Sequence, residues 1–493
     1  MSQVAWWTLV VYFGAGALLQ GYFSPLGACI GAFFLFVSAF VVSLKYDLEV
    51  RPPMVFLILF MLGYATLIPF STDPEQAILE AIKFSCILPI LVLTGRLSSN
   101  QLRTLYGSWV WIGAGLVIIG LMGGLFRNYR LESTLQYANV LAIFLLASIL
   151  LGSLLYDINR SRWMLLLMAF NTAGLWLTLS RSVWVLWLIA VILLPIVFAE
   201  LRKLKYLIHI ALVHIAGFVG AAAVRGDLLF ITNRAQTITA NASEFRIRLV
   251  YWKDSLALIK AYPFGTGGGG WSILQNQVQT QPYYVKYIHN HYIQIILDTG
   301  WVGLILFLLA VGMIFLLVFS NKGKQQLVDA LWNKATGFVG LFLLLHAGFD
   351  FDFSFPFLFA AWLCLAAYAW NSSKSFRLIK GLKTRSVVLV LFGIMAVFSC
   401  SLAMGYSQLE RGKILAGKGD FTSSLQAFSK SSILLPWASS IHYERAKALV
   451  LLGNQTRDTA AYHQAREELE QAIQMVPEQS LYKEMETNIS FSK

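Results

Sequence analysis

The sequence predicts an all-α membrane protein, a polytopic transmembrane bundle of about 12–13 helical spans with one large extracytoplasmic loop and a small C-terminal helical-repeat tail. Three observations predict it. The 493 residues are 57% hydrophobic and only 13% charged, against about 25% charged in soluble domains. Apolar runs near the bilayer-crossing length of about 20 residues recur down the chain. The basic residues gather in alternate connections between those runs. A net charge of +13 raises the question of nucleic acid, but charge in short loops between apolar runs sets membrane orientation instead. The expected surrounding is the lipid bilayer, with no nucleic-acid partner.

The apolar runs fall near 4–22, 25–44, 53–70, 77–95, 105–125, 136–155, 163–180, 182–200, 206–224, 290–319, 335–349, 355–371 and 386–406. Each must be helical, because backbone amides in hydrocarbon need internal partners. The fourth, which contains Glu80 and Lys83, is the least apolar. The first lacks a basic leader and a clear cleavage site, so it reads as a retained span. With the N-terminus inside, one set of connections holds Lys45 and Arg51, Arg96 and Arg103, Arg160 and Arg162, and Arg202, Lys203 and Lys205. The same set continues with Lys322, Lys324 and Lys334, then Lys374, Arg377, Lys380, Lys383 and Arg385. The other set is short and mostly uncharged. This positive-inside alternation puts the 225–289 loop outside and, with an odd number of spans, the tail outside as well. Cys29, Cys86, Cys364 and Cys400 lie inside apolar runs without paired ligand spacing and read as small hydrophobes.

Composition divides the chain into a membrane domain, 1–406, and a tail, 407–493. Gly419 and Gly453 are separated by the tetratricopeptide period, Pro436 and Pro477 by more, so a second unit would hold an insertion around TRDTAAY. The tail is either a helix-turn-helix docking module for envelope-assembly proteins or a set of amphipathic helices resting on the membrane domain.

Five places carry candidate chemistry. Arg181 interrupts two apolar runs, where a guanidinium costs about 2.5–3.5 kcal/mol on insertion scales; it is an interface anchor or a fixed cation for phosphate. Arg246 and Arg248 begin a helix with Trp252 on the outer side and alternate, so one of them at most faces a given site. Guanidinium suits phosphate through paired hydrogen bonds. Gly267 to Gly270, after Tyr262-Pro263-Phe264-Gly265, make a permissive backbone, either an approach for an anion or a plain flexible loop. No strand precedes it and the Lys-Ser/Thr pair is missing, so it is not a nucleotide P-loop. His289-Asn290-His291 opens a long apolar helix. Two histidines two apart point to different faces, so a shared metal is not expected. Imidazole at a polar boundary suits a general base for a hydroxyl, which Asn290 would orient, either through the imidazole or through the acceptor. Asp298 lies inside the span and should face protein. Asp350 and Asp352, beside His346, have the spacing of metal–nucleotide-sugar sites, but on the outer side they read as structural or acceptor-lining.

These pieces resemble, in this order, the O-antigen ligase/Wzy-type polymerase superfamily of bacterial envelope glycan enzymes. The matching stretches are RLESTLQYAN, with Arg130 and Asn139; SRSVW; RIRLVYW…PFGTGGGGW, with Gly267 and Gly269; HNHYIQIILDTGWVG; and HAGFDFDFSFP. They run from Arg130 to Pro356, and the histidine helix is the most specific. Ile293 in place of Leu, the extra glycine and Tyr251 before Trp252 depart from the family's pattern. The resemblance implies a GT-C-like glycosyltransferase that needs neither metal nor cofactor. Its donor would be a polyprenyl-diphosphate-linked glycan and its acceptor a hydroxyl on a glycan or protein. It implies that Arg181 with Arg248 or Arg246 stabilises the departing diphosphate and that His289, by the His-Asn order, is the base. Polymerase stands slightly ahead of ligase. The rival class is a transporter, for which ionisable groups near the bilayer midplane and related halves are expected; no internal duplication is visible.

Overall fold

The structure is a computed structural model that describes residues 2–46, 49–159, 161–236, 243–320, 327–372 and 382–490. Arg160, Lys322, Lys324, Lys374, Arg377, Lys380, residues 237–242 of the 225–289 loop and the last three residues lie outside the described residues.

The protein is an all-α polytopic bundle. Among the described residues, nine helices are long and apolar enough to cross a membrane. The remaining four of the thirteen expected spans are also helices, Ser2–Leu18, Arg162–Leu177, Arg181–Val197 and Pro356–Ser372, each only 16 or 17 residues long. Helix Ala138–Asn159 occupies the centre: residues 138–156 are entirely buried. Its neighbours bury one face and leave the other apolar and exposed, as helix Leu204–Arg225 does with Leu212, Ile215 and Val219. Only lipid satisfies such a surface.

The fourth run, least apolar in sequence, is among the most enclosed. Lys83 Nζ lies 2.8 Å from Glu80 Oε1 and 2.8 Å from the hydroxyl of Tyr287, so its charges face protein and each has a partner.

Between the bundle's ninth and tenth helices the 225–289 loop contains helices Phe230–Ala235, Ser243–Ala261 and Gly270–Val278. Ahead of the central helix, Phe126–Arg127 and Arg130–Leu131 pair as a two-residue antiparallel ladder. Asn128 and Tyr129 take positive φ at its turn, as a tight hairpin requires.

The change of composition at 407 does not interrupt the backbone: one helix runs from Leu382 to Gly417. Tail helices Phe421–Leu434, Ser439–Thr456, Thr459–Met475 and Ser480–Ser490 follow. Asp420 and Asp458 accept hydrogen bonds from Ser423 N and Ala460 N and start corresponding helices. Gly419 is a helix end at positive φ, whereas Gly453 lies inside a helix against Tyr462. The two glycines are therefore not equivalent; Arg457, also at positive φ, takes the place of Gly419 in the second hairpin. The tail packs on helix Gly270–Val278 of the 225–289 loop. Ile273 joins Ala446, Leu469, Val476 and Tyr482 in one cluster, and Asn276 Nδ2 donates to Ser480 Oγ at 2.9 Å. Ser440 donates through Oγ to Glu75 at 2.9 Å. Loop and tail thus share one face of the bundle.

Candidate active site

Asp350 is the hub of the site. It lies in the short connection after helix Leu327–Ala347 and is fully buried. Its carboxylate accepts from the Tyr137 hydroxyl at 2.9 Å, from Asn139 Nδ2 at 2.5 Å and from His289 Nδ1 at 3.0 Å. Arg248 Nη2 stands 3.6 Å away, while Nη1 donates to the Phe349 carbonyl. Asn139 passes the connection on: its Oδ1 accepts from Arg130 Nη2 at 2.5 Å and from Ser180 Oγ at 2.9 Å. Segments more than 200 residues apart in sequence meet on this one carboxylate.

The electrostatics follow from that geometry. Burial works against the Asp350 charge, but Arg248 and the His289 hydrogen bond outweigh it and hold the carboxyl well below the usual carboxylate range. Burial, reinforced by the Asp350 anion, pushes the Tyr137 phenol well above its ordinary value, so Tyr137 serves as a neutral donor. Arg130 is disfavoured as a cation by burial, opposed by Tyr137 and Asp350.

His289 precedes its helix rather than lying on it. Helix His291–Ser320 starts two residues later, and His289 takes φ +53°, which turns its ring toward Asp350. Asn290 is the helix cap: its Oδ1 accepts from Tyr292 N and Ile293 N, both at 3.1 Å. Orientation of the imidazole, expected from Asn290, falls to Asp350. The side chain of His291 is buried near Phe84 and Phe353, and its ring nitrogens have no hydrogen-bond partner among the described residues. His289, by contrast, is about 20% exposed.

Of the alternating arginines, Arg248 joins the hub and Arg246 is exposed away from it. Trp252 Nε1 donates to the Ile288 carbonyl at 3.1 Å and so braces the segment that carries His289. Arg181 opens helix Arg181–Val197 and pairs with Glu244 at 2.5 Å. Next to it, Ser182 Oγ lies 3.0 Å from His346 Nε2, and His346 Nδ1 lies 2.6 Å from Asp352 Oδ2. The Asp350-Phe351-Asp352 stretch thus serves two histidines, one open and one sealed.

Gly267 and Gly269 are placed elsewhere. Helix His291–Ser320 breaks at Gly300, and the glycine loop repairs the break. Thr266 N donates to Leu297 O at 2.7 Å, Gly267 N to Asp298 O at 3.1 Å and Trp301 N to Pro263 O at 3.2 Å. A Cβ at Gly267 would stand 2.3 Å from the Ser71 Cβ, and one at Gly269 2.5 Å from the Gln76 Cβ. This loop is a backbone clamp pressed onto the neighbouring segment, with its amides turned to the broken helix, and is not an open anion cradle. Asp298 is buried and accepts from Gln294, Tyr64 and Gly269 N. Asp350 and Asn139, expected to line substrate, are likewise enclosed; Asp350 meets His289 and Arg248, and Asn139 meets Arg130.

Sequence reasoning missed Tyr137, Ser180 and Glu244 as partners. Tyr137 and Ser180 do sit within the RLESTLQYAN and SRSVW stretches, which was the available signal. Glu244 carried none.

Fold and site define a multi-pass helical membrane protein with a cationic, imidazole-bearing cluster on one face of its bundle. Residues 163–308 match the O-antigen ligase family model, which supports the resemblance to the O-antigen ligase/Wzy-type superfamily. That match supports a membrane enzyme acting on polysaccharide. No curated protein matches it. The matched stretch contains Arg181, Arg248 and His289; Arg130, Asn139 and Asp350 lie outside it and reach the site only by folding.

Proposed function

We propose that the protein transfers a polyprenyl-diphosphate-linked glycan to an acceptor hydroxyl on the outer face of the cytoplasmic membrane, as polymerase or ligase of a surface polysaccharide. The observation that carries this reading is the convergence of His289, Arg248 and Arg130 on buried Asp350. With Nδ1–H donating to Asp350, Nε2 of His289 is left to accept a proton. The acceptor oxygen attacks the anomeric carbon, its proton passes to His289, and the bond from that carbon to the diphosphate oxygen breaks. The diphosphate leaves with the bonding pair, and its growing charge is met by Arg181 and Arg248, an electrostatic contribution that needs no metal. The 225–289 loop covers the sugars, and the tail braces that loop.

The test is transfer by the purified protein supplied with polyprenyl-diphosphate glycan, comparing wild type with Arg181→Ala, Arg248→Ala and His289→Ala. All three should lose activity while remaining folded. Normal transfer by all three would overturn the assignment.

A further inference from the structure

The proposed transfer uses one histidine of the outer cluster and leaves the sealed one, His346, without a task. Three elements supply its surroundings. Ser182 stands in the first turn of helix Arg181–Val197, His346 in the last turn of helix Leu327–Ala347, and Asp352 opens the helical turn Asp352–Ser354. His346 Nδ1 lies 2.6 Å from Asp352 Oδ2, and its Nε2 lies 3.0 Å from Ser182 Oγ. An ionised carboxylate can only accept, so Nδ1 carries the hydrogen, Nε2 is the acceptor and the serine hydroxyl donates. The chain of bonds therefore runs in one direction, from hydroxyl to imidazole to carboxylate. This order draws the proton from a serine oxygen and makes it a nucleophile.

The two ends of the chain differ. His346 and Asp352 are buried, whereas Ser182 is partly exposed. Only the end that would meet a substrate is open. Ser182 also sits where a developing oxyanion would be met. The first backbone bond of its helix runs from Trp184 N to Ser180 O at 2.9 Å, so the amides of Ser182 and Val183 precede the ladder. Ser180 stands at the cap position but turns its Oγ to Asn139 and does not cap them. Two successive amides, one of them the nucleophile's own, thus lie at the positive end of a helix beside the Arg181 guanidinium. Such donors stabilise a carbonyl oxygen as it becomes negative.

We infer that Ser182, His346 and Asp352 form a second reactive centre, a serine nucleophile that cleaves a carboxylic ester, beside the Arg181–Arg248–His289 cluster. The serine oxygen bonds to the acyl carbon while its proton passes to His346 Nε2. That proton goes to the alcohol oxygen as the ester C–O bond breaks, leaving an acyl-serine. Water then attacks the acyl carbon and gives a proton to His346, which returns it to the departing Ser182 oxygen. The sum is ester and water to alcohol and acid. Ser182 follows Arg181, and Asp352 is two residues from Asp350, so the ester is borne by a molecule held in the same cluster. That makes it an O-acyl group on a sugar. This source of the ester rests on the proposed glycan substrate; the reactivity of Ser182 does not.

The test treats the full-length protein in detergent with a fluorophosphonate, which couples to activated serines, and maps the adduct by mass spectrometry. The wild type should carry its adduct on Ser182, and Ser182→Ala should carry none. His346→Gln and Asp352→Asn, at unchanged helical content, should slow labelling by about 10²–10⁴, the usual worth of a general base. The wild type should also release acetate from an acetylated oligosaccharide. A wild type without an adduct on Ser182 overturns the inference, and this result stands even where a variant fails to fold. Labelling of both folded relay variants at the wild-type rate overturns it too, because the hydroxyl would then react without the relay. Fatty acid released from phosphatidylcholine, with no acetate from the sugar, overturns the assignment to a glycan ester. If Ser182 is labelled and no glycan is transferred, the proposed transfer fails and the ester centre stands. If transfer is normal and Ser182 stays unlabelled, only the ester centre fails.

Discussion

Two buried polar groups lie on either side of Phe351 and are built to opposite designs. On one side, Tyr287 closes the Glu80–Lys83 pair; on the other, His289 meets Asp350. The ring of Phe351 stands 4.9 Å from Tyr287 and 5.1 Å from His289 and separates them. In the first group one cation meets one anion, both side chains are only 3% exposed, and Tyr287 donates to Glu80 at 2.6 Å. In the second, one carboxylate faces Arg248, His289 and, through Asn139, Arg130, and His289 reaches the surface. A closed, balanced group holds helices together. On the proposed reading, the open group, with more cationic side chains than carboxylates, meets an anion that is not part of the protein. On that reading, enclosure and charge balance, rather than the mere presence of ionisable residues, distinguish the two groups.

The sharpest way to break this comparison is His289→Ala. Transfer should fall by about 10²–10⁴, the usual worth of a general base, with the unfolding temperature in detergent lowered only by the loss of one hydrogen bond to Asp350. On the other side of Phe351 the effects should reverse. Lys83→Ala strands the buried Glu80 carboxylate and should cost about 3–5 kcal/mol of stability, read as a lower unfolding temperature, with activity per folded molecule retained. Replacing Glu80 and Lys83 together by Leu and Met should cost much less.

Gly267→Ala sharpens the contrast within the outer loop. Crowding against Ser71 and the positive φ of +80° should destabilise by about 1–3 kcal/mol without raising donor KM. A raised KM at unchanged stability would restore the glycines to the binding site. Asn290→Ala, which removes a helix cap, should cost about 1 kcal/mol. The smallest effect concerns acid. Asp350 has a depressed folded-state pKa, so the unfolded chain takes up the proton more readily and acid favours unfolding. Its stabilisation is complete above about pH 4, the ordinary Asp range, and fades as pH falls toward the folded value. Asp350→Asn should lower the unfolding temperature at neutral pH and flatten that acid limb of the profile.

Much of the protein was legible in the residues themselves. Apolar length gave every helix of the bundle, because hydrocarbon leaves the backbone no other choice. The choice of His289 over His291 came from the family's His-Asn order; in the structure His289 meets Asp350 and is partly exposed, whereas the His291 side chain is buried. The glycine run was misjudged for a physical reason: permissive backbone serves equally to approach an anion or another backbone, and only the break at Gly300 shows which. Asn290 was likewise ambiguous, since the same amide orients a ring or caps a helix.

The sequence by itself determined the helices, the membrane environment and the types of group available for chemistry, since hydropathy and local periodicity act over a turn or two of chain. Tertiary structure decided which arginine reaches Asp350, which histidine stays open, and that Ser182 meets His346. Those outcomes depend on distances between segments that approach one another only once the bundle is packed, and no local pattern encodes them.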